Sequence, residues 1–180
     1  MIVYRKLNVA EEKLVLDTLE EWLGSHNLEI FIRGSFLLAG EGNWVEIFIT
    51  NNETNALLEI NPQITPYSVG LGLGEIKDEE FHLSLGGAFE IAKLSKKKVI
   101  INSEAEQLFL YQRNVLSKSI IFCDETFYEK ERIFVMNEKG DCLGIGKLLL
   151  SAKELRLEEN ANKEALQNLM DLGWYLRKGK

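Results

Sequence analysis

At 180 residues the chain can hold one large domain or two small ones. A hydrophobic share of 46% and only two prolines argue for a globular protein without long disorder. The net charge of −7 excludes a globally basic protein, so any nucleic-acid partner needs a local patch rather than the total field.

That charge is uneven. Residues 1–101 hold 9 Lys and Arg against 15 Asp and Glu, whereas residues 102–180 hold 12 against 13. The acidic first half repels phosphate, and an RNA-binding face is better sought in the second. No apolar run approaches the ~18 to 20 residues that cross a bilayer. The opening MIVYRKLNVA lacks the core and cleavage site of a secretory signal, which predicts a soluble intracellular protein with no membrane partner. Cys123 and Cys142 lack metal-ligand spacing and lie in apolar surroundings, so both are expected as buried thiols.

In chain order, Asn8 with Glu11 resembles a capping box. Leu14, Val15, Leu19, Trp22 and Leu23 then recur at helical spacing, and Gly24 is placed to end the helix in a left-handed conformation. LEIFIR alternates through Leu28, Ile30 and Ile32 and predicts a strand; SFLLAG, the turn EGN and WVEIFIT continue an antiparallel meander. TNALLEI predicts a short helix before Pro62, with a second break at Pro66.

VGLGLGEI invites a nucleotide-binding reading, but Gly70, Gly72 and Gly74 have the wrong final spacing and no helix follows. Alternating glycine in a strand indicates close packing or strong twist. KDEE is then a turn, FHLSL a strand, GGAFEIAKL a helix and KKKVII a strand with a solvated entry.

Asn102 or Ser103 caps a further helix, EAEQLFLY, whose Leu108, Phe109 and Tyr111 are expected to supply packing surface. Short strands follow in VLSKSIIFC, RIFVM and GDCLGIGKLLLS, with NEKG as a tight turn. A closing helix is expected from about Lys163 to Leu172, and WYLRK is expected to return to the sheet. The pattern predicts two closely packed units, residues 1–97 and 98–180, without a flexible linker.

Catalytic chemistry is poorly served. His26 follows a helix end and His82 sits in an alternating strand. No nucleophile elbow, paired-histidine metal motif or cysteine–histidine signature occurs, so neither an enzyme nor a cofactor is expected. The second half interleaves basic residues with Tyr111, Trp174 and Tyr175. Lys and Arg neutralise phosphate, and aromatic rings stack on unpaired bases. The alternative is a set of ordinary surface charges balanced by Glu154, Glu158 and Glu159.

GDCLGIGKLLLS and the closing DLGWYLRK resemble a PUA domain, an RNA-binding fold. YSVGLGLGEI and the run from FHLSL through AEQLFLY into NVLSKS narrow this to a resemblance to the NIP-seven family of ribosome-biogenesis proteins, from about residue 68 to the end. The resemblance implies an α+β chain: an N-terminal α/β domain with an antiparallel sheet and packing helices, then a PUA domain of small, mixed, barrel-like form. It further implies a non-catalytic factor that binds pre-ribosomal RNA through the PUA half, and partner proteins through the rest, during assembly of the large ribosomal subunit. The cell site implied is the cytoplasm for an archaeal member and the nucleolus for a eukaryotic one. Alternatives are a protein-interaction adaptor or an accessory subunit of an RNA-modifying or RNA-degrading complex.

Two departures from the family pattern stand out. Gln112 replaces a common Gly after the Tyr of FLY, which adds strain of about 1 kcal/mol if the position is left-handed. Gln167 and Met170 weaken the basic character of the expected last helix, where Lys163 remains. The residues expected to contact RNA are Arg113, Lys118, Lys147, Arg156, Lys163, Arg177 and Lys178.

Overall fold

The computed structural model describes residues 2–60 and 66–178, with the side chains of Glu59, Ile60, Leu176 and Lys178 outside the described set. Pro62 lies outside it too. The chain divides into two compact units, Met1–Lys96 and Lys97–Lys180. No described helix is long and apolar enough to cross a membrane.

The first unit runs β1 (Val3–Lys6), α1 (Val9–Leu23), α2 (Ser25–Ile32), β2 (Ser35–Glu41), β3 (Val45–Asn51), α3 (Asn52–Ile60), β4 (Leu71–Lys77), β5 (Glu80–Leu83) and α4 (Leu85–Leu94). Its strands form one antiparallel meander in sequence order. Val15, Leu19, Ile47, Leu73 and Ile91 are wholly buried. Each contributes roughly 1.5–3 kcal/mol by leaving water.

Local chemistry explains the start of this unit. Asn8 accepts from the Glu11 amide, and Glu11 accepts from the Asn8 amide, each at 2.9 Å, which completes the expected capping box. Both Glu11 oxygens also accept from Arg5 at 2.7 Å, while Arg5 Nε donates to Glu41 at 2.5 Å. One arginine thus joins β1, β2 and the entry to α1. Gly24 ends α1, but with φ +75° and ψ 156° rather than in the left-handed helical region.

LEIFIR is helix α2, not a strand. In a run this short, alternation and helical spacing are hard to separate. The exposure decides it: Leu28, Phe31 and Ile32 are half-buried on one helical face, whereas Ile30 is exposed. The glycine run fits the expectation of close packing. A Cβ on Gly74 would stand 2.0 Å from the His82 carbonyl oxygen of β5, so only glycine lets the β4–β5 hairpin close.

The second unit runs β6 (Lys98–Ile101), α5 (Ser103–Phe109), β7 (Val115–Leu116), a 3-10 turn (Ser117–Ser119), β8 (Ile120–Cys123), β9 (Arg132–Met136), β10 (Cys142–Leu148), α6 (Ala152–Leu155), a second 3-10 turn (Glu158–Asn160), β11 (Glu164–Asp171) and α7 (Gly173–Lys178). The sheet order is β7-β11-β10-β9-β6-β8, antiparallel throughout except for the β6–β9 pair. Phe109, Val99, Ile133, Leu148 and Leu166 are fully buried in one cluster inside the curl of this sheet.

Two expectations fail at the end of the chain. Residues 164–171 form a strand rather than a helix. Opposite β10, Asn168 pairs with Gly146 and Met170 with Ile145, so Leu169 is an extra, bulged residue and is exposed. The bulge breaks the period of two and leaves apolar spacing that imitates a helix. The next segment, WYLRK, is the short helix α7 rather than a strand. Leu108 and Tyr111 also differ from expectation, being 55% and 71% exposed, so of the three only Phe109 fills the core. Cys142 is buried and Cys123 half-buried, and burial pushes both thiols up to about 11.

Hydrogen bonding to Arg5 holds the Glu11 carboxyl below its ordinary value of 4.5. A carboxyl depressed in the folded state stabilises above its unfolded pKa, and that contribution is lost as pH falls through the folded value. Glu11→Gln keeps a cap acceptor but removes the ion pair, so it is expected to cost about 1 kcal/mol at neutral pH. Denaturant midpoints across pH should show the gap to the parent chain closing below about pH 4.5.

Candidate nucleic-acid interface

The corner between α5 and β7 is built by helix termination. Gln112 N–H donates to Phe109 and Arg113 N–H to Leu108, both at 3.0 Å. These are the paired bonds of a Schellman motif. Its left-handed position falls on Gln112, with φ 62°, as the departure from the family's glycine suggested.

Three side chains hold this corner against the end of the sheet. Asn114 Oδ1 accepts from the Asn168 amide at 3.0 Å, and Asn114 Nδ2 donates to Glu164 at 2.8 Å. Asn168 Nδ2 donates to the Phe109 carbonyl at 2.6 Å. Arg177 donates to the Leu110 carbonyl and, through both terminal nitrogens, to Asp171 at 3.0 and 3.1 Å. Gly173 allows the approach, since a Cβ there would stand 1.9 Å from the Leu110 oxygen.

Asp171 is 1% exposed and Arg177 26%. The Arg177 guanidinium is therefore held within the fold. The Lys178 side chain lies outside the described residues. Arg156 is exposed but sits 2.5 Å from Glu125; a pair this exposed is worth under about 1 kcal/mol and opens readily.

The other expected residues fall into three places. Arg113 is exposed at the corner, and its guanidinium has no hydrogen-bond or ion-pair partner among the described residues. Lys118 and Lys163 are brought together because the Lys118 amide donates to Ala161 at 2.9 Å and the Ser117 amide to Lys163 at 3.0 Å. Lys118 Nζ also reaches Asn162 at 2.9 Å. Lys147 stands on β10 opposite Arg132 of β9 and Gln167 of β11. Arg132 was missed, although the NEKG turn that joins its strand to β10 was legible. Gln167 shares a sheet row with Lys147 rather than a helix face with Lys163.

Aromatic side chains flank the corner. Tyr111 is 71%, Trp174 42% and Tyr175 57% exposed. The Trp174 and Tyr175 rings pack edge to face with centroids 5.1 Å apart. The Arg177 and Gly173 contacts to Leu110 keep them near Tyr111. The balance over residues 97–180 is 14 Lys and Arg against 13 Asp and Glu, whereas residues 1–96 hold 7 against 15. Among the described residues no group of three or more His, Cys, Asp or Glu side chains is placed to hold a metal ion.

The geometry now has relatives to set beside it. The NIP7/UPF0113 pre-PUA domain matches residues 4–85, and the UPF0113 PUA domain matches residues 97–180. The chain belongs to the NIP7/UPF0113 family. A UPF0113 protein of Archaeoglobus fulgidus is 33% identical over 181 residues, which cover 99% of this chain and 97% of that one. A conserved PUA-domain protein from Thermoplasma acidophilum shares the fold, with a TM-score of 0.62 at 13% identity over 95% of each chain. A tRNA-guanine(15) transglycosylase of Methanocaldococcus jannaschii is 39% identical over 61 residues, 34% of this chain and 9% of the enzyme. The fold is thus the expected α+β arrangement of an antiparallel N-terminal domain and a C-terminal PUA domain, and the family and its PUA domain point to RNA binding.

Glycine at the left-handed position relieves the strain that Gln112 carries. Gln112→Gly is expected to raise stability by about 1 kcal/mol in denaturant unfolding, although glycine usually weakens a chain.

Proposed function

We propose that this protein is a non-catalytic RNA-binding factor of pre-rRNA processing and large-subunit assembly. Its PUA unit docks on single-stranded or irregular RNA. The observation that carries this reading is the set of uncommitted cations in a PUA fold: Arg113 at the corner, and Lys147 beside Arg132 on the sheet. Lys118 and Lys163 form a third group. Cations that are not spent on internal pairs can release counterions from phosphate, and the exposed rings of Tyr111, Trp174 and Tyr175 can stack on unpaired bases.

The first unit, with its excess of acids, leaves RNA to the second and contacts proteins. The archaeal source of the relatives supports a cytoplasmic setting, and the family supports partners among pre-ribosomal or RNA-processing proteins. A second reading, a tRNA-like target, is favoured by the PUA segment shared with the transglycosylase. tRNA therefore belongs beside rRNA fragments as a probe.

The double variant Arg113→Ala with Lys118→Ala is expected to weaken binding to a uridine oligomer by at least about tenfold at moderate salt. It should also flatten the slope of log affinity against log salt by about one to two. Fluorescence anisotropy across a salt series measures both. Unchanged affinity in a folded variant would sink this placement of the site.

A further inference from the structure

The sheet of the second unit ends at β8, which among the described residues bonds to β6 on one side and to no strand on the other. Open strand edges are usually blunted by charge or by proline. Here the register slips between Ile100 and Ile101, so Ile100 pairs with Phe122 and Ile101 with Ile120, and Ile121 is left over. Ile120 and Cys123 turn into the core. Ile121 and Phe122 therefore stand side by side in solvent, 54% and 51% exposed. Tyr128, 69% exposed, follows in the next loop.

The rim of this apolar edge is acidic. DETFYEKE, residues 124–131, carries four acids and one lysine. Asp124, Glu125 and Glu129 are exposed. Thr126 donates to Asp124 through its amide at 2.9 Å and its hydroxyl at 2.7 Å, which holds that carboxyl below its usual range. Glu125 is taken by Arg156, and Lys130 within the same segment offsets one of the remaining acids.

Charge selects among possible occupants. RNA and anionic lipid would meet carboxylates at the rim. A second copy would set the same acids against each other, on a chain already at −7. A basic polypeptide meets no such cost. We propose that the β8 edge docks an extended, basic and apolar segment of a protein partner. Its apolar side chains cover Ile121 and Phe122, and its Lys or Arg residues meet Glu129 and Asp124. Lys118 of the proposed RNA site lies three residues before Ile121, so separate variants test the two readings, and either can fail alone.

The test uses the full chain and a fluorescein-labelled peptide of alternating lysine and valine, read by anisotropy at low salt. The peptide is expected to bind, and Ile121→Ser with Phe122→Ser to weaken it at least about tenfold. Both sites are half-exposed, and thermal unfolding checks that the double variant folds. Glu129→Lys, in the exposed loop, is expected to weaken the same peptide and to favour a glutamate–valine peptide instead. Arg113→Ala should leave peptide binding unchanged. The proposal is overturned if the glutamate–valine peptide binds the parent chain as tightly, or if the serine variant binds normally. It is equally overturned if sedimentation shows the parent chain to be a dimer that Ile121→Ser with Phe122→Ser returns to a monomer.

Discussion

The ion pair between Arg177 and the buried Asp171 is the constraint on which the second unit's outer surface depends. A carboxylate at 1% exposure is stable only when its charge is matched and its oxygens are bonded. Arg177 supplies both, with one bond to each oxygen. The same guanidinium closes the C-terminus of α5 by donating to Leu110. Removing one partner of such a pair strands the other, at a cost on the order of 3 kcal/mol. The last helix is therefore part of the scaffold and not a loose basic tail.

From that clasp the corner follows. With Leu110 held by Arg177 and Phe109 by Asn168, the chain leaves α5 in one conformation, and Gln112 takes the left-handed position at a local cost. Asn114 then sets β7 against β11. Arg113 lies between these fixed points with its side chain unspent. A cation on a rigid backbone loses less freedom when it meets phosphate than one on a mobile loop. The clasp thus sets Arg177, which builds the surface, apart from Arg113, which is left free on it.

Much of this was legible beforehand, for reasons that differ by element. The capping box at Asn8 and Glu11, the meander through EGN, and the close packing at Gly74 each rest on contacts between near neighbours in sequence. The left-handed Gln112 was visible because a helix end and its left-handed residue are one local motif. The errors share a cause. LEIFIR was too short for its period to decide, and residues 164–171 hide a strand behind the bulge at Leu169. That bulge exists only because β11 pairs with β10, and a non-local partner leaves no signature in the segment itself. The clasp of Arg177 was hidden for the same reason: its partner Asp171 is near in sequence, but whether that aspartate is buried depends on the whole sheet. Arg132 needed the β9–β10 register, which the NEKG turn makes accessible and a bulge between Cys142 and Gly144 then shifts.

The two units divide their chemistry by charge. The first is acidic, and its stability is tied to carboxylates such as Glu11. The second is nearly balanced, with its unpaired cations on the corner and on β10. Hydrogen exchange of the full chain, free and saturated with a uridine oligomer, tests this division most directly. New protection is expected at residues 111–119 and 145–148, with residues 2–60 unchanged. Protection confined to the first unit, or bound RNA with no change at the corner, would contradict it.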